Sequence, residues 1–235
     1  MARGPTAMSG RSGGRSGGRS GRKPRTPGTP GKDADAAGRI IDAALEAAAE
    51  KGWIATSFAE IATRAGVSLA ELYAAFPSKV ALINGFIERV DREVLAGVES
   101  DAGELARDRL FDVLMRCFDA LAPYRAGVGA IARDAFADPI VAVCVLPRIL
   151  RSFAWALEAA GLSSAGVAGA IRVKGLALVY ANAFRVWLRD DTADMAKTMA
   201  AVDAGLRRAE SMAVFCGLGR GAGRARNAAR PPTES

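Results

Sequence analysis

Two serine-led capping signals, eleven residues apart, constrain this chain more than any other feature. Ser57-Phe-Ala-Glu60 and Ser68-Leu-Ala-Glu71 each set a hydroxyl at a helix N-cap position and a carboxylate three residues on. In that spacing the two side chains can satisfy each other's orphan backbone N–H groups. Gly66 stands between them, able to take the positive φ that a tight turn needs. Two short helices, ending near Ala65 and Ala75, therefore meet at a sharp corner, with Ile61, Ala62, Val67 and Leu72 facing one small core. Ala62 is small where two backbones must come close. Pro77 then punctuates, and a long helix runs from Ser78 to about Glu99.

Helical spacing dominates the rest. Ile40, Ile41, Ala44, Leu45 and Ala48 predict a first helix from about Ala36 to near Gly52. Further helices are expected at about 104–121, 124–136, 139–160, 164–189 and 192–214. Asp138-Pro139 reads as a cap followed by a first-turn proline. Gly161 reads as a C-terminal stop, with Ser163 or Ser164 as the next cap. Asp190, Asp191 and Thr192 are expected to open the last helix. Pro147 is expected to kink or divide the 139–160 segment. Half of the 235 residues are apolar, many of them alanine, and no strand-like alternation occurs, so the fold class is all-α.

The charge is unevenly placed. Residues 1–32 hold eight Lys/Arg and no acid, and residues 217–235 hold four Arg and one Glu. What remains, 33–216, holds 20 bases and 24 acids, a net of −4 against +7 for the whole. The first segment is Gly, Ser, Pro and Arg, with Arg11, Arg15 and Arg19 in a four-residue repeat. It cannot bury enough apolar surface to offset its ordering entropy. It is expected to be disordered, either as an inert tail or as an electrostatic arm for DNA phosphates or a minor groove.

The run from Thr56 to Lys79 resembles the DNA-binding domain of the TetR family over about residues 37–85. Matching positions are Thr56, Ile61, Ala62, Ala65, Gly66, Val67, Ser68, Leu72, Tyr73, Phe76, Lys79 and Leu82, with Gly52-Trp53 closing the first helix. The resemblance implies a TetR-like fold: an arm (1–32), a helix-turn-helix domain (33–85), a helical effector-binding and dimerisation domain (86–216) and a basic tail (217–235). It implies a homodimeric DNA-binding regulator, a repressor relieved by a small apolar ligand, and the odd, sparse set of three cysteines points to a reducing cytoplasm. Thr56 or Ser57 would meet a phosphate at the start of the second helix. Ser68, Leu69, Ala70 and Glu71 would face bases, and Tyr73 and Lys79 would bind the phosphate backbone. Leu69 and Ala70 can touch thymine methyls, and Glu71 can accept from cytosine or simply cap its helix. The 33–100 stretch is acidic, six bases against eleven acids, so the arm is the obvious source of charge for phosphates.

The same resemblance implies that the last two helices, about 164–214, pair with those of a second copy. Phe111, Met115, Phe118, Trp155, Tyr180, Phe184 and Trp187 either line an effector pocket among the middle helices or fill the core. Trp155 and the Trp187-Leu-Arg-Asp-Asp-Thr-Ala-Asp run also resemble, more weakly, the lipid-binding ubiquinone-biosynthesis accessory family, which shares this fold without binding DNA. Histidine is absent, and Cys117, Cys144 and Cys216 fit no metal spacing. No enzymatic activity, cofactor or metal is expected. The most apolar windows, 140–157 and 165–188, contain Pro147, Arg148 and Arg151, and Arg172, Lys174 and Arg185, so no membrane span is expected.

Overall fold

The computed structural model describes Met1 and residues 30–98 and 103–215. Apart from Met1 and residues 30–32, the expected arm and tail lie outside the described residues. The described chain forms nine α-helices and one 3-10 turn, and no strand occurs among the described residues. The helices are α1 (Pro30–Lys51), α2 (Phe58–Ala65), α3 (Leu69–Ala75), α4 (Lys79–Ala96), α5 (Ala106–Leu121), α6 (Arg125–Ala137), α7 (Pro139–Ala159), α8 (Gly166–Trp187) and α9 (Ala196–Phe215).

The local rules explain most boundaries. Ser57, Ser68 and Ser78 are the N-caps of α2, α3 and α4, each accepting an N–H three residues on. Gly66 has φ +65°, and Val67 N–H returns to the Ala62 carbonyl at 3.0 Å, closing α2 with a left-handed turn. Asp138 caps α7 through Ile140 and Val141, and Gly161 ends it at φ +74°.

Four boundaries depart from the sequence reading. α1 begins at Pro30, six residues earlier than about Ala36. Proline at a first helical position sacrifices no intrahelical hydrogen bond. α7 passes through Pro147 undivided. The carbonyl left without a donor belongs to Val143, and both residues are exposed, so water can serve it. α8 is led by Ala165 rather than a serine, because Glu158 takes the Ser164 N–H and hydroxyl, both at 2.7 Å. α9 starts at Ala196, since Asp190 folds the 190–195 segment around its own carboxylate first.

One continuous core joins the two halves. Ile40, Ala44 and Ala48 of α1 meet Ile61, Ala62 and Leu72 of the two short helices. α6 lies directly on α1: a Cβ at Gly127 would come within 2.4 Å of the Leu45 carbonyl oxygen. Beyond it, α4, α5, α7, α8 and α9 pack into a bundle around Leu114, Phe118, Phe153, Leu157 and Trp187. By length and composition alone, α7 and α8 are each long and apolar enough to cross a membrane, with 22% and 28% of the apolar window buried inside the fold. Both show apolar side chains outward: Ile140, Val143, Leu146 and Trp155 on α7, and Val167, Ile171 and Leu178 on α8.

Candidate nucleic-acid interface

The α2–α3 corner is built from capping chemistry outward. Ser68 Oγ accepts the Glu71 N–H at 3.2 Å, while Glu71 Oε2 accepts the Ser68 N–H and hydroxyl, each at 2.8 Å. Those two donors, with Arg39 nearby, hold the Glu71 carboxyl below the usual carboxylate range. At the first cap, Ser57 Oγ accepts the Glu60 N–H at 3.2 Å, but the Glu60 carboxylate pairs foremost with Lys51. Leu72 is the one α3 side chain turned inward, and Leu69, Ala70, Glu71, Tyr73, Ala74 and Ala75 are all exposed. Leu69 keeps 55% and Tyr73 69% of its surface open.

The other sequence-derived positions sit differently. Thr56 is 1% exposed, and its hydroxyl donates to the Gly52 carbonyl at 2.8 Å, inside the α1–α2 loop. Ser57, next to it, is exposed. The Lys79 ammonium donates to the Trp53 and Ile54 carbonyls at 2.7 and 3.2 Å and lies 5.1 Å from the Trp53 ring. Burial pushes the Lys79 ammonium below its ordinary value, while Asp134 acts in the opposite sense. Asp134, on α6, is not legible in sequence as part of this site. Its Oδ2 accepts the Ile54 N–H at 2.8 Å, 80 residues away along the chain. The loop that leads into α2 is thus clasped by α4 on one side and α6 on the other.

Most of the domain's own cations are already paired. Arg39 pairs with Asp35, Lys51 with Glu60, and Arg89 with Asp42. Arg64 is held by Glu50 through two 2.6 Å contacts, with Glu46 and Glu60 close by. Arg92 is exposed on α4. A helix with five exposed apolar side chains, and paired cations behind it, can meet bases by shape and contact but has little spare charge for phosphates.

In the bundle, Phe118, Tyr180, Phe184 and Trp187 form one closed aromatic cluster, with Trp187 returning to within 5.8 Å of Phe118. Their centroids are 4.9 Å apart for Phe118–Tyr180, 6.0 Å for Tyr180–Phe184 and 5.5 Å for Phe184–Trp187. Met115 is half-buried against the same core, and Trp155 is on the outer surface. Phe111 floors a surface cleft of about 390 Å³ between α5 and α9, rimmed by Arg107, Asp108, Asp112 and Asp203.

Residues 40–85 match the family model described as bacterial regulatory proteins, tetR family. The fold is similar to that of a TetR transcriptional regulator from Nitrosomonas europaea, at 27% identity over 74% of this chain and 97% of that one, with a TM-score of 0.61. It is also similar to a TetR transcriptional regulator from a Rhodococcus species, at 23% identity over 76% and 97%, TM-score 0.57. A third likeness is to a TetR-family regulator from Syntrophomonas wolfei, at 17% identity over 77% and 96%, TM-score 0.54. No curated protein matches.

Proposed function

We propose that this chain, which belongs to the TetR family, is a homodimeric cytoplasmic repressor whose hold on its operator is loosened by a small apolar ligand. The observation that carries the DNA-binding part is the α2–α3 corner: an intact helix-turn-helix whose second helix presents six of its seven side chains to solvent. Such a helix is free to enter a major groove. Ser57 and Tyr73 are exposed where phosphates would pass, and Lys79 would reach one by exchanging a loop carbonyl for a phosphate oxygen.

A second copy would cover the outward stripe of α8, with α9 beside it. At 100° per residue, Val167, Ile171 and Leu178 fall within about 40° of one another around the helix. One apolar stripe meeting its own copy across a two-fold axis gives a closed dimer, whose paired corners suit a pseudo-palindromic operator. The effector would enter the aromatic cluster by parting rings that are now in contact. α6 would carry the change to the α1–α2 loop through Gly127 and Asp134, shifting the balance between two spacings of the paired corners.

A gel-shift titration with the DNA upstream of the chain's own gene, at physiological salt, tests the reading. Binding well above that to random duplex is expected, and equal binding to both would remove autoregulation. One observation favours a second reading, a lipid- or quinone-binding accessory protein: the outward apolar side chains of α7 and α8 could face lipid rather than a second copy. Mass spectrometry of a solvent extract of the purified protein separates the two. A stoichiometric isoprenoid lipid together with absent DNA binding would favour the second.

A further inference from the structure

α3 contains no Arg, Lys, Asn or Gln, the side chains that make paired hydrogen bonds to guanine or adenine edges. Its one carboxylate, Glu71, is turned back onto Ser68, and the Ser68 hydroxyl is engaged both as donor and as acceptor. Glu71 Oε2 and the Ser68 hydroxyl are thus spent on the cap that starts the helix, and Glu71 Oε1 is the one acceptor left over. What else remains outward is apolar. Leu69 and Tyr73 lie one turn apart, and Ala70 and Ala74 form a second pair alongside them. The apolar group that base pairs offer in the major groove is the C5 methyl of a pyrimidine: thymine, or cytosine when methylated.

We propose that Leu69, with Ala70 and Ala74, selects the site by packing on pyrimidine C5 methyl groups, thymine in the first place, instead of by hydrogen bonds to base edges. The proposal rests on the DNA-binding reading above and names the chemistry that the corner recognises. The short alanines let the helix axis approach the groove floor, and Leu69 supplies the contact area. Tyr73 keeps its hydroxyl for the backbone.

Selection of the full chain on a random duplex pool supplies the site. Synthetic duplexes of that site are then made with deoxyuridine in place of thymidine, which deletes the methyl and leaves every hydrogen-bonding group. Affinity is expected to fall roughly fourfold per contacted methyl, so two or three such positions multiply to more than tenfold. Leu69→Ala, at an exposed position that the fold does not need, is expected to bind the thymidine duplex more weakly and to lose most of the discrimination against deoxyuridine. A parallel pool with 5-methylcytosine throughout identifies the methyl's source: sites gained only there assign it to methylated cytosine and overturn the thymine assignment. A chain that selects a sequence but binds both duplexes equally overturns methyl readout while leaving DNA binding intact. A chain that enriches no sequence overturns the DNA-binding reading itself, and the proposal with it.

Discussion

Asp190 shows how a residue can resemble a site and act as a brace. Its side chain is fully buried, and its two oxygens take four donors from Thr192 and Thr198, at 2.5 to 3.2 Å. Arg125 donates to its carbonyl and covers the Trp187 ring at 4.8 Å. The Trp187–Asp194 run that resembles a lipid-binding family is therefore occupied in joining α8 to α9. The Thr192 hydroxyl foremost, then the Thr198 hydroxyl and N–H, holds the Asp190 carboxyl well below the usual carboxylate range, against the opposing effect of burial. An acid depressed in the folded state stabilises it fully above the unfolded-state value, about 3.9, and the gain is lost as pH falls through the folded value. The melting temperature is expected to drop between about pH 5 and about pH 2. Asp190→Asn should be less stable near neutrality and show a shallower slope in that window. Parallel slopes for the two proteins would assign the acid sensitivity to other carboxylates. At Thr56 the corresponding test is Thr56→Val, which keeps the shape and removes the hydroxyl bonded to Gly52. A loss of about 1 kcal/mol in urea denaturation is expected.

At the level of helices, the division between what sequence reveals and what it hides follows the range of the interaction. Ser57, Gly66, Ser68 and Ser78 act on backbone three or four residues away, so the corner and the start of α4 are readable from spacing. The same holds for Asp138 and Gly161. Ser164 does not serve as a cap because Glu158, from the previous helix, claims it, and α9 starts late because Asp190 has partners up to eight residues on. Nothing in the spacing of α6 marks Asp134 or Gly127, whose partners Ile54 and Leu45 lie about eighty residues back. Lys79 is legible as a cation at a helix start, but not as one lodged against two loop carbonyls. Two substitutions test this hidden contact. Gly127→Ala drives a methyl against the Leu45 carbonyl and must push α6 off α1, so a destabilisation of about 1–3 kcal/mol is expected in denaturant titration. Asp134→Ala frees the Ile54 N–H at an exposed position. It should cost about 1 kcal/mol or less in stability, yet weaken operator binding, because the loop that sets α2 loses its α6 clasp. Unchanged operator affinity in Asp134→Ala would mean that the clasp braces the loop without positioning the corner.

Across the whole molecule, charge and apolar surface are sorted into separate regions. In the proposed dimer a second copy covers the outward stripe of α8, and Leu178, 73% exposed within it, is the residue to test. Leu178→Asp should shift the sedimentation coefficient from dimer to monomer and lower operator affinity together, without unfolding, since the side chain is open to solvent in one copy. An unshifted dimer would move the interface elsewhere. The corner, for its part, meets a polyanion with a domain whose residues 33–100 carry a net −5, and most of its cations are paired with carboxylates. Affinity for DNA comes largely from phosphate neutralisation, so the charge must be brought from elsewhere in the chain. Residues 1–29 hold seven Lys/Arg and no acid, and they lead directly into α1 at Pro30. Deleting them leaves α1 whole and removes that charge. If three of the seven reach phosphates, the slope of log affinity against log salt should flatten by about 2.7, at roughly 0.9 for each phosphate no longer neutralised. The order of preference among duplexes should stay the same, since the proposed reading surface on α3 is untouched. A truncated chain with an unaltered slope would make the segment a bystander. The neutralising charge would then have to come from the basic 217–235 segment, or from Lys32, Lys79 and Arg92, with Lys79 first giving up its loop carbonyls.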